Sequence, residues 1–107
     1  MMSRMLVVFT AIAQRELEDA TVFYEVEQPG LGRRFKREIR ASVNRVVAYP
    51  KACAVESGDV RKCLLHRFPY KILYSVEAEH IVVLAVAHCH RRPHYWVERR
   101  QSRSSEP

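Results

Sequence analysis

The sequence predicts a single α+β domain in which a helical hairpin packs on one face of a small antiparallel sheet. Three observations lead to this prediction: one short apolar run near the start, two helical patterns separated by a Pro-Gly break, and three strand-like runs joined by short loops. The predicted order of elements is therefore β-α-α-β-β-β. A chain of 107 residues suffices for one hydrophobic core but not for two. We expect the domain to cover residues 1–98 and a basic, flexible tail to cover residues 99–107.

The first strand and helix are predicted from the pattern at the start of the chain. The run Leu6–Phe9 is rich in β-branched and aromatic residues, as strands are. It is followed by Thr10, a residue that favours the N-cap position of a helix. Apolar residues then recur at steps of three and four from Ala13 to Tyr24. This spacing predicts an amphipathic helix that ends near Gln28.

The second helix is predicted after the Pro-Gly-Leu-Gly break at residues 29–32, because proline and glycine interrupt regular structure. Apolar residues recur from Leu31 to Val46, and Pro50 ends the pattern. Two helices joined by so tight a turn should form an antiparallel hairpin. The remaining positions of the second helix carry bases, which we expect to face solvent or to dock an acidic partner. These are Arg33, Arg34, Lys36, Arg37 and Arg40.

The rest of the domain is predicted to be β-structure. Residues 51–59 lack periodicity and are predicted to form a loop, and residues 60–66 and 70–77 then form two strands. Residues 81–88 are apolar on both faces, which is typical of a central strand. Since the hairpin covers one face of the sheet, we expect the other face to be partly open and lined by Lys71 and Ser75.

The charge of the chain is positive and unevenly distributed. Lys and Arg number 18 against 12 acids, and residues 61–107 hold nine of the bases but only four of the acids. A focused positive field suits an anionic partner such as nucleic acid or an acidic polypeptide. The alternative is that the net charge only keeps the protein in solution.

The cysteines indicate a reducing compartment. Cys53, Cys63 and Cys89 are odd in number and show no CxxC spacing, so we expect free thiols and a cytoplasmic location. No apolar stretch approaches the roughly 18 residues that span a membrane. The sequence gives no reason to expect a membrane partner, a cofactor or a small-molecule substrate.

Several motifs, in this order, resemble the RelE/ParE toxin superfamily, the plasmid-stabilisation-like toxins of type II toxin–antitoxin systems. They are the PGLG break at Pro29–Gly32, Val60-Arg61, Phe68-Pro69-Tyr70, and the closing pattern H-x-x-R-x-P over residues 88–93, followed by Tyr95-Trp96. The resemblance covers roughly residues 5–98. It implies the same fold, a helical hairpin on one side of a small antiparallel sheet.

The resemblance also implies a growth-inhibiting toxin that a cognate antitoxin holds inactive. RelE-like members cleave mRNA in the ribosomal A site, whereas ParE-like members inhibit DNA gyrase. The closing motif HCHRRPHYW of this chain looks more ParE-like, so gyrase is the favoured target. Two alternatives stay open: a ribosome-dependent mRNA endonuclease, and an inactive toxin fold that only binds a partner.

Candidate catalytic residues follow only if the chain is RelE-like. Cleavage of this type needs a base for the 2′-hydroxyl, cations for the phosphorane and an acid for the leaving oxygen. Matching by position would make Arg61 a phosphate clamp, His88 the acid or base, and Arg91 or Arg92 a second clamp. Tyr95 would stack or transfer a proton. His88 could equally be a structural residue at a strand end.

Candidate target-binding residues lie in the same region. Arg91 and Arg92 stand beside aromatic residues, a combination suited to phosphate contact and base stacking, and Lys62 and Lys71 add positive charge. Trp96 could belong to this surface or could anchor the C-terminal segment on the core.

The histidines near the end of the last strand do not amount to a metal site. His88 and His90 would share a face if the strand continued, which could suggest zinc. A two-residue spacing without a second pair of ligands is a weak signal, so we expect no metal.

Overall fold

The computed structural model of the protein describes residues 5–92 and 94–99. The elements are β1 (Leu6–Phe9), α1 (Ala11–Glu27), α2 (Leu31–Ala48), β2 (Val55–Ser57), β3 (Val60–Leu64), β4 (Tyr70–Val76) and β5 (His80–His88). The hairpin of α1 and α2 covers one face of a five-stranded sheet. The predicted α+β class and the hairpin-on-sheet arrangement are confirmed.

The start of α1 and the turn between the helices have clear local causes. The Thr10 hydroxyl accepts a hydrogen bond from the Ala13 amide at 3.1 Å, which caps α1. Gly30 takes the left-handed conformation with φ at 90°, which glycine adopts without steric cost. The Glu25 carboxylate accepts the amides of Gly30 and Gly32 at 3.0 to 3.1 Å. One side chain therefore satisfies two amides at the start of α2.

The hairpin packs on the sheet through a core that we call the hairpin-side core. From α2 it receives Phe35, Ile39 and Val46, and from the sheet Ile72 and Tyr74, all of them buried. The Tyr74 hydroxyl donates to the Pro50 carbonyl at 2.7 Å, so this large side chain is buried without an unsatisfied polar atom.

The sheet has the strand order β1-β5-β4-β3-β2. Strands β2 to β5 pair antiparallel, as expected from their short connections, whereas β1 pairs parallel to β5. The predicted central strand is confirmed, since β5 lies between β1 and β4 with Ile81 to Ala87 buried. Residues 51–59 are not entirely a loop, because the three residues of β2 pair with β3 and add a fifth strand.

A β-bulge in β5 decides which side chains face each side. Leu73 pairs with Ala85 and Tyr74 with Val83, so Leu84 has no partner on β4. The alternation of β5 shifts there: Leu84 and Ala85 both contribute to the second face, and Val86 is the next residue in the hairpin-side core.

The expectation that the second face is partly open is wrong. Leu73, Val82 and Leu84 form a second core there with Trp96, which is 3% exposed. Ser75 is fully buried, and its hydroxyl donates to Glu77 at 2.8 Å. Residues 94–99 cover this face. Burial of the Trp96 indole removes a large apolar surface from water, which stabilises their docking.

The predicted tail begins within the folded region. Arg99, its first residue, donates hydrogen bonds to Glu16 and to the Leu84 carbonyl. Residues 100–107 lie outside the described residues, so the expected flexibility of the tail stays a prediction.

The close approach of the two helices at Gly32 yields a testable prediction. A Cβ atom added there would lie 2.8 Å from the Thr21 carbonyl oxygen and 3.0 Å from Glu25 Oε1. We expect Gly32→Ala to lower the free energy of unfolding by about 1 to 3 kcal/mol, because the clash outweighs the roughly 1 kcal/mol that alanine gains in a helix. Urea denaturation measures the change.

Lys36→Ala, at an exposed position of the same helix, is the control and should change stability little. A Gly32→Ala protein as stable as the wild type, or more stable, would show that the two helices do not need this close contact.

Candidate functional site

The part of β5 beyond β1 has an edge that no strand covers. β1 pairs with β5 only as far as Val83. Beyond that point the Val86 amide donates to Glu16 Oε1 at 3.0 Å, and the Leu84 carbonyl accepts from Arg99 Nη1 at 3.0 Å. Side chains from α1 and from the C-terminal segment thus replace the missing strand, since buried backbone groups need partners.

Glu16 is the centre of this arrangement. Arg99 binds both of its carboxylate oxygens at 3.0 Å, and the Tyr95 hydroxyl donates to Oε2 at 2.9 Å. The side chains of Glu16 and Arg99 are each 17% exposed, so the ion pair is largely shielded from water. Burial, and then the nearby Glu16 charge, raise the pKa of Tyr95. Tyr95 is therefore held protonated as a hydrogen-bond donor.

A basic edge lies beside this network. Arg91 and Arg92 are exposed, and the Arg91 guanidinium lies 4.1 Å from the centroid of the Tyr95 ring. Lys62 and Lys71 lie on the second face of the sheet, where their ammonium groups approach the Glu56 carboxylate at 3.5 and 3.8 Å. Glu56 partly neutralises these two lysines, so Arg91 and Arg92 dominate the positive charge of this edge.

His88 lies in a cleft between α1 and the end of β5, which Tyr70, Phe23 and Arg91 also line. Its ring contacts Tyr70 edge to face, with centroids 5.2 Å apart. Nδ1 of His88 accepts the His90 amide at 3.0 Å, so the neutral ring carries its proton on Nε2. This bond matches the structural role considered for a strand-end histidine.

Arg61 lies on the other side of the sheet from the basic edge. It pairs across strands with Tyr74, a residue of the hairpin-side core, and cross-strand partners share a face. Its Nη1 donates to the Cys53 carbonyl at 2.6 Å, which ties the segment before β2 to the sheet.

The sequence-predicted residues are thus only partly brought together. One shallow depression on the second face is lined by Lys71, Arg91, Arg92, Tyr95 and Trp96. Within it Trp96 is buried, which favours its role as an anchor over a role in base stacking. Lys62 lies near this depression, and Arg61 lies on the opposite face of the sheet. His88 lines the neighbouring cleft, and Arg91 lines both the cleft and the depression.

No group of three or more His, Cys, Asp or Glu side chains that could hold a metal ion occurs in residues 5–92 and 94–99. The rings of His88 and His90 do approach each other, with centroids 5.2 Å apart. One pair of imidazoles is half of a typical zinc site.

Sequence reasoning missed Glu16, Arg99 and Glu56. Glu16 occupies a polar position of an amphipathic helix, where the helical pattern predicts only a solvated side chain. Its partners Val86 and Arg99 are 70 and 83 residues further along the chain. Contacts over such separations leave no local pattern in a single sequence.

Comparison with known proteins identifies the family. The family described as the ParE toxin of the type II toxin–antitoxin system parDE matches residues 7–93. The chain belongs to this family. It is therefore a toxin component of a type II toxin–antitoxin system. A search of curated proteins finds no significant match.

A solved structure supports the fold of this ParE family member. The chain is similar to a chain of the chromosomal ParDE TA system from P. aeruginosa, with a TM-score of 0.70 and 21% sequence identity. The match covers 79% of this chain and 96% of that chain. At this identity the likeness concerns the fold.

Neither α1 nor α2, nor any other helix within the described residues, is both long enough and apolar enough to cross a bilayer.

The Glu16 network should hold the C-terminal segment on the sheet. We expect Glu16→Ala to lower the free energy of unfolding by about 2 to 4 kcal/mol, because it leaves Arg99 and the Val86 amide without their acceptor. The emission of Trp96, the single tryptophan, should shift to the red as the segment undocks, while far-UV circular dichroism keeps the helical signal.

Glu18→Ala, at an exposed position of the same helix, is the control and should leave the emission unchanged. An unchanged Trp96 emission in Glu16→Ala would mean that the indole alone holds the segment in place.

Stability should also fall at alkaline pH. The folded-state pKa of Tyr95 is raised above its ordinary value of 10.0, so the folded protein holds this proton more tightly than the unfolded chain. The resulting stabilisation is fully present below about pH 10 and is lost as the pH rises above that value. Denaturant titrations between about pH 8 and 11 measure this slope.

Tyr95→Phe should reduce the slope, because phenylalanine does not ionise. Part of the slope should remain, because burial also raises the pKa values of Tyr24, Tyr70 and Tyr74. Tyr49→Phe, at an exposed position, is the matched control and should leave the slope as it is. Equal slopes in all three proteins would exclude Tyr95 as the cause.

Proposed function

We propose that this toxin inhibits growth by binding DNA gyrase and that a cognate antitoxin neutralises it. The observation that carries the proposal is the separation of the candidate nuclease residues, together with membership of the ParE family. Cleavage of RNA requires a base, an acid and cations within hydrogen-bond reach of one phosphate. Arg61 and the Arg91–Arg92 pair lie on opposite faces of the sheet, which supports binding rather than cleavage.

The hydrogen bonds of these residues support the same proposal. The Arg61 guanidinium is engaged by the Cys53 carbonyl, and the Tyr95 hydroxyl by Glu16. Each side chain would have to give up a partly buried bond before it could meet a substrate, at a cost of about 1 to 3 kcal/mol. Their observed contacts stabilise the fold.

Arg91 and Arg92 are the proposed contacts to the target. Both are exposed, and cations at the edge of an interface act mainly on association rate and orientation. Lys62 and Lys71 would contribute less, since Glu56 lies close to both ammonium groups. Trp96 would act indirectly, by holding the segment that carries Tyr95 against the sheet.

Ribosome-dependent cleavage of mRNA is the alternative, and one observation favours it. His88, Tyr70 and Arg91 line one cleft, which places an imidazole, a phenol and a guanidinium together. These are the side-chain types that acid–base cleavage of RNA uses. In this alternative His88 would be the acid or base and Arg91 the phosphate clamp, without Arg61.

Neutralisation by an antitoxin is proposed from the family and from charge. The family is described as the toxin of a type II toxin–antitoxin system, and the P. aeruginosa relative as part of a ParDE TA system. The net charge of +6 on this chain suits an acidic partner.

One experiment separates gyrase binding from cleavage. Purified toxin is added to gyrase with relaxed plasmid and ATP, and separately to translating ribosomes, where mRNA 5′ ends are mapped. We expect loss of supercoiling with intact messages. His88→Ala should keep this inhibition, whereas Arg91→Gln with Arg92→Gln should weaken it about tenfold, or about 1.4 kcal/mol of binding free energy.

Arg33→Gln with Arg40→Gln removes the same charge from the exposed side of α2 and is the matched control. Codon-phased cuts that disappear in His88→Ala would favour the nuclease instead. A wild type that affects neither gyrase nor mRNA would be an inactive toxin fold, and the proposal would fail.

A further inference from the structure

Two of the three cysteines meet where the end of α2 packs on β3. Cys53 precedes β2 and Cys63 lies in β3, and both contribute to the hairpin-side core. Their thiols are close enough to share a hydrogen bond. Neither thiol takes part in the proposed gyrase contacts or in the alternative nuclease site, so the pair has no role in the functions considered so far.

The pairing of β2 with β3 places these two cysteines directly opposite each other. The Lys62 amide donates to the Ala54 carbonyl at 2.9 Å, which continues the antiparallel register of the two strands. One step further along this register, Cys53 faces Cys63. Hydrogen-bonded and non-hydrogen-bonded pairs alternate along an antiparallel ladder, so the cysteines form a non-hydrogen-bonded pair.

A non-hydrogen-bonded pair has the geometry that a disulfide requires. Its Cα atoms lie about 4.5 Å apart, and disulfides span Cα separations of roughly 4.4 to 6.8 Å. Side chains directly opposite each other share a face of the sheet, so both sulfurs are on the hairpin side. The backbone would therefore need little movement to accept an S–S bond between Cys53 and Cys63.

The two thiols differ in exposure, which gives each a separate role. Cys53 is half-buried and lines an open, largely apolar groove with Ala48 and Tyr49. Cys63 is buried, and its Sγ accepts a hydrogen bond from the Ser42 hydroxyl at 3.2 Å. An oxidant from solvent therefore reaches Cys53 first, and Cys63 is the thiol placed to complete the bond.

A metal ion fits this pair less well than a disulfide does. Within residues 5–92 and 94–99 no third His, Cys, Asp or Glu joins the two thiols to complete a metal site. The Arg45 guanidinium also lies 4.0 Å from Cys63 Sγ, and its positive charge would oppose a bound cation.

We propose that Cys53 and Cys63 form a redox-sensitive pair, which hydroperoxides oxidise to a cross-strand disulfide. The Cys53 thiolate attacks the O–O bond, which leaves a sulfenic acid on Cys53 and releases an alkoxide or hydroxide that takes up a proton. The Cys63 thiolate then attacks the same sulfur, forms the S–S bond and expels hydroxide, which becomes water. The thiols lose two electrons, and the hydroperoxide gains them. This inference does not depend on the target of the toxin.

The surroundings of Cys53 set the pace of this reaction. Burial raises the pKa of the Cys53 thiol above its ordinary value of 9.0, and the nearby Arg45 charge only partly opposes this shift. Tyr74 and Cys63 also face the thiol. Since the thiolate is the reactive form, oxidation should be slow near neutral pH and faster as the pH rises.

The disulfide would stabilise the fold. It closes the loop of residues 53–63 and so lowers the conformational entropy of the unfolded chain. In a reducing compartment the pair stays as two thiols, and it would be linked only while an oxidant is present. The pair would thus couple the stability of the toxin to oxidative conditions.

Oxidation of the Cys89→Ser protein tests the pair. Cys89 is exposed, so its removal prevents links between two molecules through this residue. The folded protein is treated with hydrogen peroxide at about pH 8.5 and analysed by intact mass and by non-reducing peptide mapping. We expect a loss of two hydrogen atoms, a peptide linked through Cys53 and Cys63, and complete reversal by dithiothreitol.

The matched control adds Cys53→Ser and Ala54→Cys to the same background, which moves one thiol by one residue. Ala54 lies opposite Lys62, so its side chain is on the other face of the sheet from Cys63. This protein keeps two thiols but should form about tenfold less of the link. Equal yields in the two proteins, or addition of oxygen without a link in the Cys89→Ser protein, would overturn the proposal. Circular dichroism confirms that both proteins are folded before oxidation.

Urea denaturation tests whether the folded protein accepts the bond without distortion. We expect the oxidised Cys89→Ser protein to unfold at a urea concentration about 1 to 2 M higher than its reduced form. An oxidised form that unfolds at a lower concentration than the reduced form would show that the bond distorts the fold. The pair would then not be preformed in the native structure, contrary to the proposal.

Discussion

The rest of the structure depends on how the backbone groups at the uncovered edge of β5 obtain hydrogen-bond partners. β1 ends at Phe9, four residues into its pairing with β5, and the chain turns immediately into α1. This places Glu16 beside the exposed part of β5, where it accepts the Val86 amide and binds Arg99 and Tyr95. A carboxylate can accept several hydrogen bonds at once, so one residue joins the hairpin, the sheet and the C-terminal segment.

The hydrogen bonds of Glu16 lie at the boundary between the two faces of the sheet. On one face the hairpin is packed through Phe35 and Ile39, and on the other Trp96 seals a second, smaller core. Arg61 belongs to the first face and the exposed pair Arg91 and Arg92 to the edge of the second. The hairpin and the exposed arginine pair therefore present two separate surfaces on a chain of only 107 residues.

Local patterns predicted the elements well, because they arise from neighbouring residues. The steps of three and four in both helices follow from helical geometry, and the apolar run at residues 81–88 predicted a central strand. The strand β2 was missed, since three residues with an irregular pairing to β3 give too short an alternation to detect. The bulge at Leu84 was not predicted either, because it arises from the pairing of β5 with β4 and leaves no pattern within β5 alone.

The sequence by itself determined the α+β class, the order of its main elements and the toxin superfamily, because these follow from periodicity and from motifs in a fixed order. Only the tertiary structure decided which basic residues meet. Arg61 and Lys62 are adjacent in sequence but face opposite sides of the sheet, whereas Glu16 and Arg99 are 83 residues apart and share hydrogen bonds at 3.0 Å. Strand alternation separates neighbours and packing joins distant residues, so a site is fixed by the fold rather than by proximity along the chain.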